Sequence, residues 1–443
     1  MRRVRQVLRV LPRLTMRGWA FVAVGVALFV AMEVLQRREF AFVGIFVVAL
    51  PVLAAVGVTL YRLPFTVERR FAPELAAAGS DVLVSVIVRN WGRLPGPAVS
   101  WADAVSAPLE GVAPTPMPRL PAYRSSITDT PQPTVLGYSL EASHRGRHSV
   151  GPLVLFITDP FGMAVARRQI GTADELLVTP STVALPQGAV RLASGSGQAH
   201  QSRRLGAGGE HDVISRKYQT GDSMRRVNWS ATARFGELMV RQDDQQNDQH
   251  AVVILDRARS SYGVDARTPE AGATAASSGR PEFSEEFEWA VSMSASIALH
   301  LLGEGFHLRL FDHTTGDADR FEPEGGGYDL LLHAAKLGLD DAQTVDFRAA
   351  LGPALGAGAD LPPVFAVVGN LSAASAASLA AAARFAAGAV AIIVVETDTP
   401  EPPDWALALR DTLEAAGWIA QCVASDEPPS AAWGNLDGER LVL

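Results

Sequence analysis

A chain of 443 residues with 48% apolar residues is long enough for two or three domains, each burying its own core. Its formal charge of −8 is uneven: residues 1–17 hold six arginines and no acid, whereas residues 397–443 hold nine acids against Arg410 and Arg440. A basic start and an acidic end argue against a general nucleic-acid binder, which needs a basic folded face. The single cysteine, Cys422, excludes an intrachain disulfide and fits a reducing compartment.

Beyond the basic tail at 1–17, two apolar runs follow in close succession. Residues 18–35 are apolar except for Glu33, and residues 40–61 carry no charge. Each is near the ~20 residues that a helix needs to cross a hydrocarbon core. The expectation is a transmembrane hairpin over 18–61, with Pro51 tolerated inside its second helix. A signal peptide followed by a buried helix fits less well, because no small-residue cleavage pattern follows the first run. The outer flanks hold nine arginines (Arg2, Arg3, Arg5, Arg9, Arg13, Arg17, Arg62, Arg69, Arg70) against Arg37 and Arg38 in the connector. That bias predicts an inner-membrane, multi-pass protein anchored in lipid, with both ends and all soluble domains in the cytoplasm.

From residue 64 to 185 the texture is β-rich. DVLVSVIVRN alternates, placing Val82, Val84, Val86 and Val88 on one face. Further short strands (YSLEA, RGRHSV, GPLVLFIT, ELLVTP) separated by Gly/Pro turns predict an antiparallel β-sandwich. The Pro-rich stretch 110–134 reads as a long exposed loop or insertion. Asp159-Pro160-Phe161-Gly162 reads as a turn. His144 and His148 flank a strand-like Arg-Gly-Arg, so their i, i+4 spacing is no argument for a metal pair.

Residues 186–208 are Gly/Ser-rich and read as a linker. Residues 209–241 then bring Arg216, Lys217, Arg225, Arg226, Arg234 and Arg241 together with Asp212, Asp222, Tyr218 and Trp229. Their spacing fits neither a buried strand nor an amphipathic helix. The pattern of Gly209, Glu210, Arg216, Tyr218, Gly221, Asp222, Arg225 or Arg226, Trp229, Ala233, Arg234, Gly236 and Val240 resembles the signature of domain-of-unknown-function family 58. Arg145-Gly146-Arg147, Gly151-Pro152 and Asp159-Pro160-Phe161-Gly162 also look like that family. His211 stands where the family usually has an aromatic, and Asn228 where it often has Asp. Three readings of the signature are open: a paired arginine–carboxylate network, a partner-docking surface, or an anion site. The segment 203–241 nets +4, yet it has no phosphate-binding GxxxxGK[ST] loop.

From residue 250 to 425, strands alternate with helical patterns. AVVILD ends in Asp256; a helical stripe follows through Phe287, Val291, Ile297 and Leu301. FHLRLF, VFAVV, AIIVV and WIAQCV are further strands separated by helices. Alternation of this kind predicts a mostly parallel, doubly covered sheet. Family resemblance implies that this domain is von Willebrand factor A-like, making the whole chain an α+β multidomain protein. It also implies a metal site of Asp-x-Ser-x-Ser form after the first strand, suited to Mg²⁺. Here the loop reads Asp256-Arg257-Ala258-Arg259-Ser260, and Gly369-Asn370 stands where a later acidic ligand would fall. The candidates Asp256, Ser260 and Asn370 are thus degenerate, and no cofactor is expected.

Residues 426–443 read as an acidic tail. HExxH and GxSxG motifs are absent, and Cys422 has no nearby His-Asp pattern. Members of the resembled family often accompany MoxR-type AAA+ ATPases and membrane transglutaminase-like proteins. The resemblance therefore implies a non-catalytic adaptor or scaffold at the membrane. The competing expectation is a metal- or anion-dependent enzyme or ligand-binding protein at the membrane surface.

Overall fold

The computed structural model describes residues 12–61, 63–97, 99–123, 131–186, 215–217, 227, 229–241, 249–263, 284–312, 318–341, 346–347, 362–397 and 401–438. The chain divides into two compact units, Met1–Ser181 and Thr182–Leu443.

The first unit opens with a short strand, β1 (Arg13–Leu14), and two apolar helices, α1 (Met16–Leu35) and α2 (Glu39–Leu60), each long enough to cross a membrane. Thr15 caps α1 by accepting from Gly18 N at 3.2 Å. The helices approach closely where both lack side chains: a Cβ at Gly25 would stand 2.3 Å from Val48 Cγ2, and one at Gly44 would stand 3.3 Å from Phe29. Small residues at such crossings are how apolar helices pack without a hydrophobic driving force.

Strands β2 (Phe65–Ala72), β3 (Leu75–Ala77), β4 (Ser80–Asn90), β5 (Val99–Val105), β6 (Thr115–Pro116), β7 (Pro133–Ala142), β8 (Gly146–Thr158), β9 (Ala164–Ile170) and β10 (Asp174–Thr179) complete the unit. They form a three-stranded sheet, β2-β4-β7, and a seven-stranded sheet built around the long β8. One apolar core draws on both, with Val82, Val84, Val86 and Val88 of β4 fully buried alongside Leu153 and Leu155 of β8. Each such side chain contributes roughly 1.5–3 kcal/mol.

Three details differ from the sequence expectation. The chain leaving β2 crosses to the other sheet, where β3 lies parallel to β10, so the pairing is not wholly antiparallel. Met117 and Leu120, inside the Pro-rich stretch, are buried in the core, and β6 pairs with β5; this stretch is not simply an exposed loop. The side chain of Arg69, counted above as a membrane-flanking charge, is buried where β2 passes Asp103.

The second unit holds β11 (Ser215–Lys217), α3 (Trp229–Phe235), β12 (Met239–Arg241), β13 (His250–Leu255), α4 (Glu285–Gly303), β14 (His307–Phe311), β15 (Asp319–Phe321), α5 (Gly326–Ala334), β16 (Val364–Val368), α6 (Ala373–Ala382), β17 (Ala389–Val395), α7 (Asp404–Ala415), β18 (Ile419–Ala424) and α8 (Pro429–Gly438). Six strands form one sheet in the order β15-β14-β13-β16-β17-β18, parallel except for the edge strand β15. Alternate residues of each strand enter two separate cores. Val253, Leu255, Val367 and Ile392 pack with α4, α5 and α8; Val252, Ile254, Ala366 and Ile393 pack with α6 and α7. The sheet is thus covered on both faces, as near-continuous apolar strands require.

The C-terminal stretch expected to be an acidic tail contains α8. Ala432, Trp433 and Leu436 of that helix are buried, and Trp433 Nε1 donates to Pro186 O at 2.8 Å. Only three apolar residues of the helix face the core, and the acids Asp426, Glu427, Asp437 and Glu439 that flank them masked the short apolar face. Strand β15 was missed because a three-residue edge strand carries almost no periodic signal.

Candidate functional site

The signature segment builds a small hairpin-like element. Strand β11 pairs antiparallel with β12, matching Arg216 to Val240, and α3 lies between them in sequence. Gly236 ends α3 in the left-handed region at φ 72°, where its N–H reaches Thr232 O at 2.9 Å. A residue with a Cβ is strained in that cap, which accounts for the signature glycine. Thr232 Oγ1 accepts from Met239 N at 3.0 Å, tying helix to strand, and Lys217 pairs with Glu237.

The helix shows its large residues to solvent: Trp229 is 66% exposed and Phe235 65%, with Arg234 exposed between them. Glu210, Tyr218, Gly221, Asp222, Arg225 and Arg226 lie outside the described residues, as does the side chain of Arg216.

A second candidate region lies at the carboxyl edge of the six-stranded sheet, where the strand order reverses between β13 and β16. That is where open α/β sheets hold ligands. Backbone bonds join the two loops there: Asp256 N to Val367 O at 3.0 Å and Asn370 N to Ser261 O at 2.8 Å. Asp256 is fully buried, and its Oδ1 accepts from Ala258 N at 2.9 Å. Tyr262 donates to Asp256 O at 2.8 Å; burial first, and then the charge of Asp256, pushes the phenol pKa well above its ordinary value.

Ser260 and Asn370 line a cavity of about 220 Å³ with Glu286, Glu396 and Trp405. The sequence candidates Asp256, Ser260 and Asn370 therefore meet at one sheet edge, two of them on the cavity wall. The two arginines of the loop are engaged elsewhere. Arg257 pairs with Asp312 at 3.1 Å and donates to Gly338 O at 2.7 Å, while Arg259 pairs with Asp341 at 2.9 Å. Chemically, the cavity offers hydroxyl, amide and carboxylate oxygens, a set suited to a cationic or hydrogen-bonding ligand.

Sequence reasoning missed Asp312 and its neighbours Asp319 and His333, whose ligand atoms all lie within 4.8 Å of one another. One signal was present: LFD at 310–312 ends a buried strand in a carboxylate, as ILD does at 254–256. In the first unit, His148 is buried, with Nε2 donating to His144 O at 2.7 Å. Asp159 accepts from Phe161 N at 2.9 Å and Ala164 N at 2.6 Å, as its turn requires.

Comparison with known proteins adds one family and no activity. No curated protein matches the chain. Among solved structures, the CARDB domain of a Pyrococcus furiosus protein, in complex with di-metal ions, is 14% identical (TM-score 0.19; 27% of this chain, 90% of that one). A protein described as late embryogenesis abundant is 14% identical (TM-score 0.18; 33% and 87%). A cycloisomaltooligosaccharide glucanotransferase of Paenibacillus sp. is 11% identical (TM-score 0.17; 81% and 53%). At such scores none of these likenesses bears on fold or activity. Residues 214–278, which contain α3, β12 and the Asp256 loop, match the family model "Protein of unknown function DUF58", and this match supports placing the chain with the DUF58 family.

Proposed function

We propose that this protein is a membrane-anchored, non-catalytic adaptor whose signature segment docks an AAA+ ATPase of MoxR type. The observation that carries the reading is the outward presentation of Trp229, Arg234 and Phe235 within the matched segment. Aromatic residues and arginine are the types that anchor protein interfaces. A paired arginine–carboxylate network alone gives no reason to leave two large aromatics in water. The family resemblance supplies the partner's identity, and the arginine bias of the hairpin supports a cytoplasmic placement where an ATPase works.

We read the second unit as von Willebrand A-like. Its support is the order β15-β14-β13-β16-β17-β18, the antiparallel edge strand and Asp256 at the end of β13.

The test is crosslinking and affinity purification from native membranes with ATP present, comparing wild type with Trp229→Ala and Arg234→Ala. Both side chains are exposed, so both variants should fold. An AAA+ ATPase recovered with wild type and reduced at least tenfold with either variant is the expected result. Equal recovery would move the interface elsewhere, and no ATPase at all would sink the adaptor reading.

A second reading is the competing expectation of a metal- or anion-dependent activity, and the cavity beside Ser260 and Asn370, with Glu286 and Glu396 on its wall, favours its metal form at the sheet edge. It separates cleanly, because an adaptor tolerates Asp256→Asn whereas an Mg²⁺-dependent enzyme loses its activity.

A further inference from the structure

We propose that Asp312, Asp319 and His333 form a binding site for a divalent transition-metal ion of the zinc class, separate from the Asp256 loop. The three come from three elements: Asp312 directly follows β14, Asp319 opens β15, and His333 lies in the last turn of α5. His333 Nε2 stands 3.3 Å from Asp312 Oδ2 and 3.4 Å from Asp319 Oδ2, and all three ligand atoms lie within 4.8 Å of one another. Bonds of ~2.0–2.1 Å to a four-coordinate ion place neighbouring ligands roughly 3.3–3.4 Å apart, so both separations involving the imidazole are those of a tetrahedron's edge.

A second observation points the same way. His333 Nε2 is shielded from solvent, and no hydrogen bond of acceptable geometry reaches it despite the two nearby carboxylates. A metal ion seated between the three atoms would engage that nitrogen; a simple imidazole–carboxylate pair leaves it misaligned. One nitrogen and two carboxylate donors suit zinc, cobalt or manganese better than calcium or magnesium, which take oxygen donors. Three protein ligands leave a fourth position open to water or to a partner's side chain.

Arg257 completes the arrangement from behind. Its guanidinium holds Asp312 Oδ2 at 3.1 Å while Nε is fixed on Gly338 O at 2.7 Å. Outer-shell bonds of this kind orient a ligating carboxylate, and their loss typically costs 10–100-fold in metal affinity. Arg257, at a variable position of the Asp-x-Ser-x-Ser-like loop after β13, thus serves a different site at the end of β14.

The experiment uses the full chain, without a polyhistidine tag, purified in detergent and stripped with a chelator. Co²⁺ is titrated while visible d–d absorption is followed, and Zn²⁺ affinity is measured by competition with a chromophoric chelator. Wild type and Asp256→Asn should bind about one equivalent with tetrahedral-type cobalt bands. His333→Ala and Asp319→Asn should each weaken Zn²⁺ binding at least tenfold. Asp319 is half-exposed, so its variant should keep the metal-free unfolding midpoint of wild type and show that loss of binding is not loss of fold. Absence of stoichiometric binding to wild type, or binding unchanged in both ligand variants, would overturn the site and leave a plain charge cluster.

Discussion

The least legible feature of the first unit is a buried polar network. Arg69 in β2 grips Asp103 in β5 with two bonds, Nε to Oδ2 at 2.8 Å and Nη2 to Oδ1 at 2.7 Å, and both side chains are at most 1% exposed. Nη1 reaches Thr172 O at 2.7 Å and Asp174 at 3.0 Å, and Tyr138 donates to Asp103 at 3.1 Å. Burial alone would lower the guanidinium pKa, but the bonds to Asp103 raise it on balance. In sequence, Arg69 sits beside Arg70 just past an apolar helix, so it reads as a membrane flank; its partner is 34 residues away and carries no local mark. Removing one partner leaves a buried charge uncompensated. Asp103→Asn is therefore expected to cost about 3–5 kcal/mol in chemical unfolding, several times the effect of the exposed pair Arg147–Glu175. His148 gives a pH-dependent counterpart. Burial holds its pKa below the ordinary 6.5, so the unfolded chain takes the proton first. That stabilisation is fully present above about pH 6.5 and is lost as pH falls towards the folded pKa. Thermal unfolding between pH 7.5 and 5.5 should show a smaller drop in His148→Gln than in wild type.

Elements with a strong period were legible, and short or compensated ones were not. Strand β4 declares itself by Val82, Val84, Val86 and Val88, and α4 by its stripe behind the Ser284 cap, where Oγ accepts from Phe287 N at 3.3 Å. Strand β3, strand β15 and helix α8 escaped because two are three residues long and the third sets its three core residues among small and polar ones. Of the candidate site, the types and order of the signature residues were readable, but the exposure of Trp229 was not, since it depends on what α3 packs against. The hairpin is a further case: length and hydropathy define its helices, but only the close approach at Gly25 and Gly44 fixes their register. A Cβ at Gly44 would stand 3.5 Å from that of Leu28, at the short end of disulfide geometry. In a Cys422→Ser background, the pair Leu28→Cys and Gly44→Cys should therefore crosslink within one chain on mild oxidation. Adding Gly25→Leu should abolish the crosslink by forcing the helices apart near Val48.

At the scale of the whole molecule, the proposed role stands or falls on which side of the membrane the soluble domains occupy. The flanking count must first be amended, because Arg69 is buried against Asp103 and does not offer a free charge to the membrane surface. Taking it out leaves eight flanking arginines against Arg37 and Arg38 in the connector, so the direction of the bias survives. Glu39, which opens α2, leaves the bias unchanged, since acids weigh little in setting orientation. Both ends are thus expected in the cytoplasm. A C-terminal fluorescent protein that matures only in the cytoplasm should be bright, and a C-terminal phosphatase that is active only outside should be silent. Charge is the cause assigned here, so it must also be the lever. Replacing Arg2, Arg3, Arg5 and Arg9 with Gln while inserting four lysines beside Arg38 should shift a measurable fraction of chains to the opposite orientation, with phosphatase activity appearing as fluorescence falls. An inactive phosphatase in wild type with no response to the charge swap would keep the placement but assign it to the folded domains, which must then resist export. An active phosphatase in wild type would put α3 and its aromatics out of reach of any cytoplasmic ATPase, and the adaptor reading would fall with it.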